Sequence, residues 1–582
     1  MADVGTMNDS ATMLPTVDLK TAQHTEQQLQ PPKEQHYKNW PNAGAFNALG
    51  DTRTKVDLST SGIFPSYVAG TLYRTGPGGY KVPRSNPKDG FMACHHWFDG
   101  VFTTHKFDLI SNANGACNVT YMSYCHVDES IESARKTGKL EGVTFAQKRD
   151  PCDTFYKKLK TVFEPVIPGR THRAASGVAI RDILPAEAGE VRKQLGRDFS
   201  PNNVLNLTTD HSAVKTIDAD TLEPLGVTRQ EHLHPSLAGQ LSAAHAEHDP
   251  ITGEVFNYNL AMGRKDVYRV FCADPATGKV DILAELSGPD FKAAYIHSMF
   301  LTKNFVILCI WPAYLKGIKV LWEKNLMDAM SFDPAAKATW CAIDRHHGRG
   351  LVKKFQSPAF FSFHSTNAFE EVVSNSSTNG DAEVDIICEL VTFENADILR
   401  NFYYDNLVSN APHVTKFLKT TKIDATLARY KLAAVPLTAK VPSTASKTSH
   451  PAERTLAIDV SRAGDLPVTN PRYAMQPHRY VWSILNRGKS SFVDGLVKTD
   501  TLTGEAKVWE QDKHSPGEPI FVPRPSTVEE DDGALLSVVF DGETGSSYLL
   551  CLDARTMEEV ARAEVGRAVG FGFHGRHVPT RL

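Results

Sequence analysis

A short pattern recurs along this chain and limits what it can fold into. It runs Asp, two residues, Thr, then usually Gly or Leu. It appears as DADTLE from Asp218, DPITGE from Asp249, DPATGK from Asp274, DTLTGE from Asp500 and DARTME from Asp553. Asp accepts hydrogen bonds from the backbone that follows it, and Gly supplies positive φ, so the pattern suits a tight hairpin turn. The text between the turns consists of short apolar runs: GTLYRTG, NVLNLTT, GEVFNYNL, NFVILCIWP, AEVDIICELVTF, ALLSVVF and SSYLLCLD. Such runs, cut by turn residues, read as strands. One turn reused between many short strands predicts repeated antiparallel sheets. A β-propeller is the natural way to use them, with ordinary hairpins in a sandwich as the alternative.

Composition agrees with a globular chain. Hydrophobic residues make up 41% and charged residues 22%, and 63 Lys plus Arg are nearly balanced by 67 Asp plus Glu over 582 residues. No sustained basic block is present, which removes the bulk electrostatic argument for binding nucleic acid. Nine cysteines are scattered and never form CxxC, which argues against a zinc ribbon, a thioredoxin-like site or a secreted disulfide framework. The longest apolar run, Phe305 to Pro312, is far shorter than the roughly 20 residues of a spanning helix, and the N-terminus lacks a signal-peptide pattern. A soluble, cytoplasmic protein is expected. Residues 1–45 read as a flexible polar leader, and residues 46–582 as a single domain.

Two segments have helical spacing. Asp153 to Glu164 starts behind an Asp suited to capping. Ala313 to Met330 places Tyr314, Leu315, Ile318, Leu321, Trp322, Leu326, Ala329 and Met330 on one broad face, with Lys316, Lys319 and Lys324 elsewhere. Such a face serves either to pack on a core or to skim a membrane and deliver an apolar substrate. Residues 374–382, with a sequon at Asn375, and 442–453 read as polar surface loops.

No phosphate-binding loop, G-x-S-x-G elbow or HExxH pair is present. The residues with chemical promise are among the 22 histidines. A histidine inside an apolar strand is costly unless hydrogen-bonded or bound to metal. His245, His297, His364 and His574 fit that description, but physics alone does not select them over His96, His105 or His478.

A resemblance does. GTLYRTGPG from Gly70 and HHWFDGVFTTHKFDL from His95 are followed, in order, by six further stretches. These are AHAEHDPITGEVFNYN, YIHSMFLTKNFVI, FSFHSTNAFEE, DLPVTNPRYAMQPHRYVW, GEPIFVPRP with EEDDGALLSVVFD, and GFHG. The series resembles the carotenoid cleavage oxygenases from about residue 55 to the C-terminus. The resemblance implies an all-β, seven-bladed β-propeller with a helical or loop cap over its iron-bearing face. It also implies one Fe(II) per chain held by His245, His297, His364 and His574, with O2 as co-substrate. Imidazoles without an inner-shell carboxylate suit iron with open positions, and carboxylates beside them would fix the rings. In the family these carboxylates are glutamates. Glu518 matches, while Asp210 and Asp465 are each one methylene shorter, so their contact with the histidines is either direct, with backbone adjustment, or through water.

The resemblance also bears on substrate. Stilbene cleavers of the family use a Tyr and a Lys at positions where this chain has Phe145 and Thr209. Neither can serve a phenolate, which favours a carotenoid. Within the family the chain is most similar to the fungal branch that cleaves torulene to β-apo-4′-carotenal in neurosporaxanthin synthesis. Other apocarotenoids, β-carotene and resveratrol remain alternatives, as do an isomerohydrolase and a non-catalytic carotenoid-binding propeller. Trp311, Phe361 and Phe363 are candidates for lining an apolar tunnel. The expected partners are a polyene and a membrane or lipid-droplet surface, with no obligate protein.

Overall fold

The computed structural model describes residues 40–127, 129–140, 142–148, 177–373, 382–408, 417, 420–438 and 448–580. The turns come first, because they set everything else. At Asp218, Asp249, Asp274, Asp500 and Asp553 the carboxylate accepts N–H bonds from the residues two and three further on. The Thr hydroxyl then accepts from the residue two beyond it. The fifth position has positive φ each time, at Leu222, Gly253, Gly278, Gly504 and Met557. A sixth copy, Asp541 to Gly545, makes the same bonds. Its sequence, DGETG, fits the same pattern.

These turns separate strands in antiparallel meanders. Pro224–Arg229, Ala213–Asp218, Val204–Thr208 and Ala179–Arg181 form one four-stranded sheet. Glu247–His248, Val255–Ala261, Val267–Ala273 and Val280–Leu286 form the next. Asp465–Val468, Tyr480–Leu485, Gly495–Asp500 and Ala506–Trp509 form another. An eight-stranded sheet comprises two meanders, Phe300–Leu301 to Leu351–Pro358 and Phe361–Val372 to His450–Ile458. They join where Phe355 and Gln356 pair in parallel with His450 and Pro451. The architecture is all-β and propeller-like.

Two exchanges tie the chain ends together. The C-terminal strand His574–Pro579 pairs with Gly70–Gly79. In return, Ser59–Gly62 pairs with Glu559–Glu564, next to Thr52–Asp57, which pairs with Ala116–Cys125. Part of the stretch read as a leader, from Trp40 on, is packed into the fold. Trp40, Asn42 and Ala45 are buried, with the Trp40 indole donating to Ser515 Oγ and Asn42 to Ser491 Oγ. Residues 1–39 lie outside the described residues.

The expected helix over Ala313 to Met330 is broken in four. Ala313–Leu315 and Met330–Phe332 pair as strands around helices Gly317–Glu323 and Leu326–Ala329. Lys324 turns the chain with φ 54, and Asn325 caps the second helix by accepting from Asp328 N–H. The apolar periodicity was real, but Gly317 and the Lys324–Asn325 turn interrupt it. Residues 450–453, read as loop, are strand. The helix expected over Asp153 to Glu164, Asn375 and residues 442–447 lie outside the described residues. The eight described cysteines are buried.

Gly545 sits at φ 70 with no heavy atom within 4 Å of an added Cβ, so Gly545→Ala isolates the backbone cost of the turn. Urea unfolding should show a loss of about 1 kcal/mol; an unchanged midpoint would mean that the turn tolerates an L side chain.

Candidate metal centre

His245, His297, His364 and His574 lie at or within three residues of strands that edge their sheets: Glu247–His248, Phe300–Leu301, Phe361–Val372 and His574–Pro579. An edge strand has a neighbour on one side only, so its residues border the space where sheets meet. His364 is turned further by register breaks between Ser362 and Ser365 and between Ser365 and Asn367, the usual effect of a bulge. One nitrogen from each of the four rings lies within 4.8 Å of the others. Ring centroids are separated by 4.2 Å (His245 and His574) to 6.4 Å (His297 and His574).

Three of the rings are braced from behind. His297 Nδ1–H donates to Asp210 Oδ1, His364 Nδ1–H to Asp465 Oδ1 and His574 Nδ1–H to Glu518 Oε1, each at 2.7 Å. An ionised carboxylate only accepts, so the proton lies on Nδ1 and each Nε2 presents a lone pair inward. His245 Nε2 and His574 Nε2 are 3.0 Å apart, and His364 Nε2 and His574 Nε2 are 3.2 Å apart. Burial, then the neighbouring imidazoles, hold His245 and His574 well below the ordinary histidine range. The lone pairs of His364 and His574 face one another in a buried site and repel, and protonation is disfavoured there. A cation accepting all of them resolves the conflict, so the residues fit a metal.

Both aspartates reach their histidines directly. Asp465 Oδ1 also accepts from Leu466 N–H at 2.8 Å, with Leu466 held at φ 52. An L residue there costs about 1–2 kcal/mol. Gly464 admits this path, since a Cβ there would lie 1.6 Å from Ile484 O. Asp210 Oδ2 accepts from Tyr295 O–H at 2.6 Å, and its Oδ1 from Ala244 N–H at 3.3 Å. Glu518 Oε2 accepts from Arg74 Nη1 at 2.6 Å and Gly575 N–H at 2.8 Å. Burial pushes the Glu518 carboxyl up to about 7, against the pull of Arg74.

The sequence reading missed Tyr295 and Arg74. Tyr295 sits two residues before His297 in YIHS, and both side chains reach Asp210. Arg74 pairs with Glu518 across 444 residues, a contact that no local pattern reveals.

Aromatic rings cover the centre. Phe363 lies 5.8 Å from His297 and 5.9 Å from His364, and Phe361 4.9 Å from Phe363. Phe145 packs on Phe98 at 4.7 Å and Tyr295 at 5.6 Å. Trp311 sits behind them, 6.4 Å from Phe361, donating its indole N–H to Tyr295 O at 2.7 Å. Thr209, half-buried, precedes Asp210 and brings no charge.

Fold and site together define a propeller-like protein with a buried, apolar-walled cluster of four histidines that fits a metal. The comparisons assign that class to a family. Residues 46–579 match the family model described as retinal pigment epithelial membrane protein, RPE65. A carotenoid dioxygenase of Neurospora crassa is 39% identical over 99% of this chain and 97% of its own. A torulene dioxygenase of Gibberella fujikuroi is 41% identical over 93% of this chain and 94% of its own. A variant of the Synechocystis apocarotenoid oxygenase superposes with a TM-score of 0.66 at 20% identity, covering 94% of this chain and 100% of that one. The chain belongs to the RPE65/carotenoid oxygenase family.

Glu518 links metal binding to pH. A bound cation favours the charged carboxylate, so affinity should rise with pH up to about 7 and level off above it. Titration with Co(II) should give about tenfold weaker binding at pH 6 than at pH 7.5, and Glu518→Gln should flatten the profile. A parent profile flat over this range would remove Glu518 from the linkage.

Proposed function

We propose that this protein is a non-haem Fe(II) dioxygenase that cleaves a C=C bond of a carotenoid, most directly torulene to β-apo-4′-carotenal in the route to neurosporaxanthin. The observation that carries the reading is the inward convergence of four imidazole nitrogens, three of them backed by carboxylates. The relatives named torulene dioxygenase and carotenoid dioxygenase support the substrate class.

In this reading His245, His297, His364 and His574 hold one iron per chain, and Asp210, Asp465 and Glu518 fix the rings of the last three. Bound ferrous iron would supply the redox chemistry by which O2 adds across an alkene, so that one C=C and one O2 become two carbonyl products. That balance requires no proton, and accordingly no side chain is assigned as acid or base. The chain's own contribution is position and dryness. Phe145, Phe361 and Phe363, with Thr209 beside Asp210 and Trp311 behind, form the polyene wall and keep water from the reacting bond.

The architecture in this reading is a seven-bladed propeller. The eight-stranded sheet supports this, since it divides into two four-stranded meanders. The helices and loops around residues 129–148 and 317–329 would form the cap over the iron face. Substrate would enter from a membrane or lipid-droplet surface. Ile318 is 83% exposed and Leu321 42%, with Lys316 and Lys319 exposed beside them, the make-up of an interfacial helix. No helix among the described residues is long and apolar enough to cross a membrane, so contact would be peripheral, from a cytoplasmic protein.

Two experiments test the reading. His245→Ala should lose iron and turnover while retaining the far-ultraviolet circular dichroism of the parent; iron-replete, active His245→Ala would refute the ligand assignment. The Fe(II)-loaded parent should convert torulene with O2 into two carbonyl fragments, whereas cleavage of resveratrol alone would reassign it as a stilbene oxygenase. Separately, Ile318→Glu with Leu321→Glu should weaken sedimentation with anionic vesicles several-fold and leave turnover of detergent-dispersed substrate intact.

A further inference from the structure

We propose that Asp99 is a positioning residue for the cleavage: its buried carboxylate fixes Phe145 as a wall of the polyene site and thereby sets which C=C bond stands at the histidine centre. The inference rests on the carotenoid-cleaving function and deepens it.

Asp99 ends the 3-10 turn Trp97–Asp99 and is only 4% exposed. Its Oδ1 accepts from Phe145 N–H and its Oδ2 from Ala146 N–H, both at 2.8 Å. One carboxylate thus spans two successive amides 46 and 47 residues away, and both bonds are charge-assisted. The opposite edge of the same backbone is held as well. Phe145 C=O accepts from Met327 N–H at 2.9 Å and Thr144 C=O from Leu326 N–H at 3.1 Å. Gln147 closes the clamp, accepting from His95 N–H at 2.9 Å and donating to Ala93 O at 3.1 Å. The short segment 144–148 is therefore fixed between residues 93–99 and the helical excursion at 324–327.

What this fixes is one ring. Phe145 lies 5.0 Å from His96, 4.7 Å from Phe98 and 5.6 Å from Tyr295. Two of these lead straight to the centre. Phe98 packs on Phe363 at 6.0 Å and Phe573 at 5.2 Å, the residues before His364 and His574, and Tyr295 donates to the carboxylate that braces His297. A polyene presents a series of similar double bonds, so selecting one depends on a rigid wall rather than on a polar contact. A displacement of about 1 Å in such a wall changes which bond is aligned and can cost a hundredfold in rate.

Asn in place of Asp99 keeps the size but offers one acceptor oxygen, so one amide would face an NH2 donor. Asp99→Asn, Phe145→Ala and the double variant should be compared as Fe(II)-loaded full chains. Iron per chain should match the parent in all three. Hydrogen exchange should rise in peptides covering residues 144–148 in Asp99→Asn. With torulene and β-carotene, Asp99→Asn should lower kcat about tenfold and spread the products over neighbouring double bonds. The double variant should be no worse than Phe145→Ala, because both act through one ring. A parent-like product ratio and kcat in Asp99→Asn, losses that add in the double variant, or loss of iron would each overturn the positioning role. Failure of the parent itself to cleave either polyene would instead overturn the function on which the role rests.

Discussion

Inward-facing imidazole lone pairs are the constraint around which the rest of this protein is organised. Left alone, the His364 and His574 nitrogens, 3.2 Å apart in a buried site with both ring protons on Nδ1, repel one another. The chain nevertheless fixes the rings there with carboxylates from separate segments, at Asp210, Asp465 and Glu518. Holding unlike parts of a chain of 582 residues to such tolerance calls for a frame in which many edges meet. The propeller-like arrangement supplies it, because edge strands of three sheets meet at the centre, two of them from the eight-stranded sheet. Closure matters for the same reason. His574 is the first residue of the strand that pairs with Gly70–Gly79, and Arg74 of that same strand neutralises Glu518. Fastening the ring and bracing the fourth histidine are therefore one act of folding.

Around this polar point the protein is apolar. Phe98, Phe145, Phe361, Phe363 and Phe573 form a continuous set of ring contacts. The N-terminal segment supports it from outside, with Phe46 packed on Phe492 and Phe571, and Trp97 on Phe492 and Phe573. A wall of this kind provides shape and excludes water, which is what a substrate without polar handles requires. The polar groups near it are directed away from the substrate. Asp99 is directed at backbone amides, and Tyr295 at Asp210. Rigidity is supplied by charge-assisted hydrogen bonds one layer back, where they do not interfere with an apolar ligand.

Much of the frame was legible in the sequence, because it is built from local chemistry. The Asp-x-x-Thr turns and the apolar runs between them specify strands without reference to anything distant, and every run singled out is strand. The Ala313 to Met330 segment shows where periodicity misleads: its apolar spacing is helical, but Gly317 and Lys324 break the helix and its ends pair as strands. The histidines were selected by family resemblance rather than by pattern, since His96, His105 and His478 are also buried in apolar sequence. Their carboxylate partners lie 56 to 101 residues away. Contacts at such separations leave no local trace, which is why Arg74 and the role of Asp99 emerge only from the fold. Leu466 is intermediate. Asp465 beside it is visible in the sequence, but the positive φ of Leu466 is not.

The most direct test of the account is iron K-edge X-ray absorption on the Fe(II)-reconstituted full chain. The account predicts an inner sphere in which all four protein donors are imidazoles, with the multiple-scattering signature of those rings and no protein carboxylate. Fewer than three imidazoles, or an Asp or Glu bound to the metal, would contradict the assignment of His245, His297, His364 and His574 and the role given to the carboxylates behind them.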